Sequence, residues 1–183
     1  MRQNKKKRKG IVRELLSWIL YLVFFFGAVY LIVQYVGERT VVSGESMYPT
    51  LNDGDSLIVD KISYRFVEPD RYDIVVFPFR YQEDTFYIKR VIGLPGETVQ
   101  ITDGRVYING KVLEDSYGYE AIRNPGLAAA GVTLGRDEYF VLGDNRNNSA
   151  DSREPSVGMI KRESIIGRAV LRIWPMNKMN FLW

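Results

Sequence analysis

The sequence predicts an all-β, antiparallel domain built largely from hairpins and attached behind a single N-terminal transmembrane helix. Three observations carry that prediction. Residues 15–36, LLSWILYLVFFFGAVYLIVQYV, are uncharged and mostly apolar without interruption, and as a helix at about 1.5 Å per residue they reach roughly 33 Å, enough to cross a bilayer. After Gly37 the chain breaks into short runs rich in Val, Ile, Tyr and Phe, the residues that favour strands. Turn sequences punctuate those runs: NDGD, LPGE, TDGR, INGK and GDNRNN.

The elements follow in order. Residues 1–14, MRQNKKKRKGIVRE, carry seven Lys or Arg and one Glu, a basic tail of net charge +6. The span 15–36 comes next. It is longer than the apolar region of a cleavable signal peptide, about 7–15 residues, and no small-x-small cleavage pattern follows it, so it reads as a retained anchor. The cationic flank Lys5, Lys6, Lys7, Arg8, Lys9 and Arg13 places the N-terminus in the cytoplasm by the positive-inside rule and residues 37–183 on the far side of the plasma membrane.

Within 37–183 the predicted strands are TVVS (40–43), SLIVD (56–60), DIVVF (73–77), TFYIKRVIG (85–93), TVQIT (98–102), RVYING (105–110), EYFVL (138–142) and IIGRAVLRIW (165–174). No helical periodicity of useful length appears there. Residues 113–137, LEDSYGYEAIRNPGLAAAGVTLGRD, lack a strand pattern and read as an insertion or long loop.

Charge and composition exclude several functions. The chain has 183 residues and a formal net charge of +3, but the tail supplies that excess and 37–183 is left at −3, so a nucleic-acid-binding domain is not expected. There is no cysteine and no histidine, which rules out disulfides, thiolate or imidazole zinc sites, and any triad or dyad that uses a histidine base. Proton transfer must fall to Lys, Asp, Glu, Tyr or a terminus. Neither metal nor cofactor is implied.

One serine and one lysine stand out on those terms. Ser46 lies in SGESMYPTL (43–51), a turn-rich stretch close behind the span. Even a fully extended chain keeps it within about 35 Å of the bilayer. Met47, Tyr48 and Pro49 beside it read either as core or as an apolar rim at the lipid surface. Lys89 lies inside FYIKRVIG, where strand alternation puts it with Tyr87 and Val91 while Ile88, Arg90 and Ile92 face the other way. One of the two adjacent cations must therefore occupy a largely apolar face, and burial would drive a lysine there toward its neutral, basic form. Taken by themselves the same residues admit another reading, in which Lys89 snorkels to solvent and Ser46 caps a turn.

Three stretches in this order after an N-terminal anchor, SGESMYPTLNDGD (43–55), YIKRVIGLPGE (87–97) and GDNRNNSADSR (143–153), resemble the motif set of bacterial type I signal peptidases. Those are membrane-tethered serine-lysine endopeptidases that remove signal peptides from exported preproteins. The resemblance runs from the anchor to RIWP (172–175) and implies a barrel-like sheet of the signal peptidase and LexA-like fold. It implies Ser46 as nucleophile, Lys89 as general base and the backbone N–H of Ser46 as an oxyanion donor. Ser149 matches a hydroxyl that orients the lysine amine, Asp151 and Arg153 match a supporting pair, and Asp144 and Arg146 are further supporting candidates, unless they belong to a polar surface loop. Some relatives use a serine two residues before the nucleophile as a second oxyanion donor. Here that position is Gly44, and with Glu45 it resembles the Gram-positive pattern.

The partners so implied are preprotein signal peptides, cut after small residues at A-x-A-type sites, together with a phospholipid membrane and a nearby secretion translocon. Two alternatives remain at this level: a serine-lysine peptidase for another precursor, such as a pilin-like chain or itself, and a membrane-tethered β-rich binding module without catalysis.

Overall fold

The computed structural model describes residues 14–28, 37–82 and 84–182. Two compact units divide the chain, Met1–Gly37 and Glu38–Trp183. In the first, residues 14–28 are helical and the large apolar side chains are exposed, Trp18 by 67% and Phe24 by 77%. Among the described residues no helix is long and apolar enough to cross a membrane. The described helical stretch falls short of the roughly 20 residues a span requires. Residues 29–36 of the expected span lie outside the described residues, as does the expected basic tail apart from Glu14.

The second unit is built from β1 (Gly37–Val41), β2 (Ser56–Asp60), β3 (Ile74–Pro78), β4 (Phe86–Gly93), β5 (Thr98–Thr102), β6 (Arg105–Ile108), β7 (Lys111–Val112), β8 (Val132–Thr133), β9 (Glu138–Leu142), β10 (Ile160–Lys161), β11 (Gly167–Trp174) and β12 (Asn180–Phe181). One sheet runs β1-β2-β11-β3-β4-β9-β10, with β12 alongside β11, and a smaller one runs β7-β6-β5-β8. From β2 to β12, the ladders whose registers are known are antiparallel. The only helical pieces described in this unit are 3-10 turns at Ser63–Arg65, Gly126–Ala129, Arg162–Ser164 and Met176–Lys178.

Seven of the eight predicted strands fall on observed ones to within about two residues. The first is displaced. The sequence points to TVVS, and the observed strand is GERTV, 37–41. Pairing with β2 overrides the poor strand propensity of Gly37 and Glu38, while the left-handed Gly44, φ +90°, turns the chain soon after Val42. Four further strands have no counterpart in the sequence pattern. β7, β8, β10 and β12 hold two residues each, too few to show alternation.

The centre of the large sheet is covered on both faces, and this positions the site. Along β9, Phe140 and Leu142 enter a cluster with Val99, Ile101, Val106 and Ile108 of the small sheet, whereas Tyr139 and Val141 enter one with Val75, Phe77 and Val91. Strand alternation thus sends both sets of side chains into apolar cores. β4 lies between β3 and β9, so a cation on either of its faces is buried.

Candidate active site

Ser46 sits on the turn that joins β1 to β2. Tyr48 N–H donates to Glu45 O at 3.1 Å and Leu51 N–H to Met47 O at 2.9 Å, folding the segment tightly. Gly44 N–H donates to Asp53 Oδ1 at 2.8 Å and holds the approach. The Tyr48–Pro49 peptide is cis. Met47 is 1% exposed and belongs to a core cluster, while Tyr48 and Pro49 are exposed, so only the first of that trio is core.

Lys89 is brought to the serine by β4. It lies opposite Val75 of β3 and is 4% exposed. Its Nζ is 2.9 Å from Ser46 Oγ and donates to Ile88 O at 3.0 Å. Nζ also stands 4.9 Å from the centre of the Tyr87 ring, the same-face neighbour that alternation predicts. Burial pushes the Lys89 amine down from 10.5 to about 8, against a smaller upward pull from Asp151 and then Asp144. At the serine itself, the Ser46 N–H makes no hydrogen bond among the described residues.

Arg90, the next residue, is 2% exposed on the opposite face. Its Nε and Nη2 grip Asp144 Oδ1 and Oδ2 at 2.8 and 2.6 Å. Nη1 donates to Tyr72 O at 2.9 Å, and Tyr117 lies over the guanidinium at 3.7 Å. Both cations are therefore buried, where alternation alone required only one to be.

The 143–153 loop closes on Ser46 and Lys89 from the other side. Asn145 N–H donates to Ser46 O at 3.1 Å and Asn145 Nδ2 to Glu45 O at 3.1 Å. Asp151 accepts from Gly143 N–H at 3.0 Å and from Arg153 Nε and Nη2 at 2.8 and 2.9 Å. Gly143 is required by close approach, since a Cβ there would stand 2.4 Å from Ser46 O and 2.2 Å from Ser149 Oγ. The Ser149 hydroxyl is buried and has no hydrogen-bond partner among the described residues, so the bond to the lysine that the resemblance implies is not formed. Lys89 instead uses Ser46 Oγ and Ile88 O, and Ser149 Oγ lies against the Gly143 backbone. The side chains of Asp144 and Arg146 do not pair with each other. Asp144 takes Arg90, and Arg146 forms a buried ion pair with Asp115.

Sequence reasoning misses Asp115, Arg90, Tyr117 and Asn145 as contributors. Their partners lie 54 residues apart for Arg90 and Asp144 and 100 for Asn145 and Glu45, and no local pattern spans such separations. Asp115 and Tyr117 belong to the unpatterned segment 113–137, which braces the site loop. Tyr119 N–H donates to Asp144 O at 2.9 Å and Leu127 N–H to Arg153 O at 2.9 Å. The Tyr119 ring meets Tyr48 edge-on at 5.2 Å.

A cleft of about 360 Å³ opens beside the two residues. Thr40 to Ser46 form one wall, Thr85 to Lys89 the other, and Asn148 and Ala150 line it from the 143–153 loop. Among the described residues β1 pairs only with β2, and β9 pairs with β4 from Arg90 onward, leaving the 86–89 edge without a strand on that side. Two unpaired backbone edges thus confront each other across the cleft, a geometry that accepts an extended peptide.

Comparisons with known proteins identify the family to which the chain is similar. A family model described as signal peptidase, peptidase S26, matches residues 15–174. The signal peptidase I of Leptolyngbya laminosa is 48% identical over 156 residues, which cover 81% of this chain and 74% of that protein. The signal peptidase I T of Bacillus subtilis strain 168 is 36% identical over 184 residues, covering 97% of this chain and 94% of the relative. A crystal structure of a signal peptidase I from Enterococcus faecalis V583 is similar with a TM-score of 0.47 and 36% identity, over 56% of this chain and 97% of that one.

Proposed function

The chain belongs to the signal peptidase family of peptidase S26 and is a peptidase of the type I signal peptidase kind, and from that premise we propose that Ser46 and Lys89 form its catalytic dyad. One observation carries the proposal: the 2.9 Å contact of Ser46 Oγ with the amine of a lysine 4% exposed. With its affinity for a proton lowered to about 8, Lys89 is in part neutral at neutral pH.

The neutral amine accepts the Ser46 proton as Oγ attacks the scissile carbonyl. The oxyanion accepts a hydrogen bond from the unengaged Ser46 N–H. Lys89, now an ammonium, returns its proton to the departing amine, and an acyl-enzyme on Ser46 remains. Water then attacks the ester as Lys89 takes its proton, the bond from the acyl carbon to Ser46 Oγ breaks, and Lys89 passes the proton to Oγ as the carboxyl product leaves. Gly143, Asp151, Arg153 and Asn145 hold the nucleophile's carbonyl and the loop behind it, and the free Ser149 hydroxyl is available to the lysine amine once Ser46 is acylated.

The substrate is the signal peptide of an exported preprotein. It lies extended between the two open edges, with small residues one and three before the cut against the cleft nearest Ser46. The apolar segment 15–36 anchors the enzyme in the plasma membrane with the basic tail in the cytoplasm, the domain 37–183 outside and the secretion translocon nearby. The exposure of Trp18, Phe24 and their neighbours on the helix over 14–28 supports that reading, because such a surface calls for apolar surroundings. No residue of the mechanism calls for a metal or cofactor.

The test is cleavage of a preprotein bearing an A-x-A site by detergent-solubilised protein, against Ser46→Ala and Lys89→Ala. The dyad predicts that each variant loses at least about 10³ of the rate. Cleavage by either at the wild-type rate removes that residue from the mechanism.

A further inference from the structure

We infer that this enzyme has an additional substrate subsite, an apolar trough that receives the side chain five residues before the cut and favours a large aliphatic one. The inference rests on the proposed peptidase reading and on the substrate lying extended in the cleft.

The cleft beside Ser46 does not end at the small-residue positions. A second cavity of about 230 Å³ shares Thr40, Val76 and Phe86 with it and continues away from the dyad. Val59, Val76 and Ile166 line it together with Phe86. Phe86 is 54% exposed although it is a large apolar side chain, on the stretch of β4 that pairs with β3 but not with β9. The far end is closed by the ion pair of Lys61 with Glu38. The four apolar side chains come from four separate places in the chain, Val59 from β2, Val76 from β3, Phe86 from β4 and Ile166 from the residue before β11, and the sheet order β2-β11-β3-β4 brings them side by side.

Strand geometry fixes which substrate residue reaches it. Successive side chains of an extended peptide point to opposite sides, and each two-residue step advances about 6.6 Å. Side chains one, three and five before the cut therefore share a face. On the wall, the same steps back from Gly44 lead to Val42 and then Thr40, all of which line the first cleft. Thr40 is also where the second cavity begins. The first two substrate side chains lie in the cleft nearest Ser46 and the third enters the trough, while side chains two and four before the cut face away from the floor. An aspartate in the trough would lose its hydration against Val59, Val76 and Ile166, and the cation at the far end, Lys61, has its charge already offset by Glu38.

The experiment uses the full-length detergent-solubilised enzyme and peptides sharing one A-x-A site. They carry Leu, Ser or Asp at position five before the cut, or Leu moved to position four or six, and one peptide begins at position four. We expect kcat/KM for Leu at position five to exceed that for Asp by about tenfold or more, within the range a single apolar side chain provides. The preference should shrink to about twofold or threefold in Phe86→Ser, whose side chain is exposed, and likewise in Ile166→Ala. Equal rates for Leu, Ser and Asp at position five overturn the subsite and leave the peptidase reading intact if the peptide starting at position four is cut. A preference that follows Leu to position four or six overturns the assignment of register. Unchanged preference in both variants overturns the trough as its source. Failure to cleave any of these peptides, the shortest included, overturns the peptidase reading and the subsite with it.

Discussion

Lys89 and Arg90 are joined by one peptide bond and buried to nearly the same degree, 4% and 2% exposed, yet their surroundings differ in kind. Arg90 meets a bidentate carboxylate, a backbone carbonyl and an aromatic face. Lys89 meets a hydroxyl, a carbonyl and a tyrosine ring, with no carboxylate in contact. The contrast separates structure from chemistry on a single strand. A compensated guanidinium locks β4 to the 143–153 loop, and an uncompensated amine is left ready to lose its proton. Arginine suits the first face because it stays charged and forks onto a carboxylate, and lysine suits the second because burial shifts it readily.

Three substitutions bear on this comparison, with opposite signs on the two faces. Asp144→Ala strips Arg90 of its counter-ion and leaves a buried unpaired cation, so unfolding of the detergent-solubilised protein should show a loss of about 3–5 kcal/mol. Lys89→Met should do the reverse. At neutral pH the native state holds an ammonium it would rather release, so removing it should raise stability by about 3 kcal/mol while abolishing cleavage. Because the folded value, about 8, lies below the unfolded 10.5, the unfolded state binds more protons between those limits. Wild-type stability should therefore rise from about pH 8 to pH 10.5, and the advantage of Lys89→Met should fade over that window. A thermal melt series against pH reads both. The smallest effect is expected for Tyr117→Leu, which removes the ring over Arg90 at 3.7 Å and should cost about 1–2 kcal/mol. A stabilising Asp144→Ala or a destabilising Lys89→Met would dissolve the distinction between the faces.

Local patterns in the sequence reach one face of this strand better than the other. The alternation of FYIKRVIG groups Lys89 with Tyr87 and Val91, and the observed pairing follows it, with Lys89 opposite Val75 and Tyr87 opposite Phe77 of β3 and Val91 opposite Val141 of β9. The composition also leaves few proton acceptors, so Lys89 stands out from the residue pattern alone. Most strands are legible for the same reason, since five or more residues of alternating or β-branched character carry their own signature. The two-residue strands, by contrast, exist only through their partners. Arg90 is legible as a cation in need of a place, but its ties to Asp144 and Tyr117 join segments that tertiary folding alone brings together. Asp115 and Tyr117 lie in a segment without periodicity, and nothing local marks it as the brace of the 143–153 loop. Ser149 shows the limit of position-by-position transfer: the residue lies beside the Ser46 carbonyl, and among the described residues its hydroxyl is unpaired where the resemblance implies a bond to the lysine.

The most direct test of the central claim, that Lys89 serves as a neutral base because burial outweighs the pull of nearby carboxylates, is the pH dependence of kcat/KM on an A-x-A preprotein. The account predicts a rise of about tenfold per pH unit on the acid side that bends to a plateau near pH 8, the value to which burial lowers the amine. A flat profile from pH 6 to 10, or a rise that continues to about 10.5 as for a solvated lysine, contradicts it.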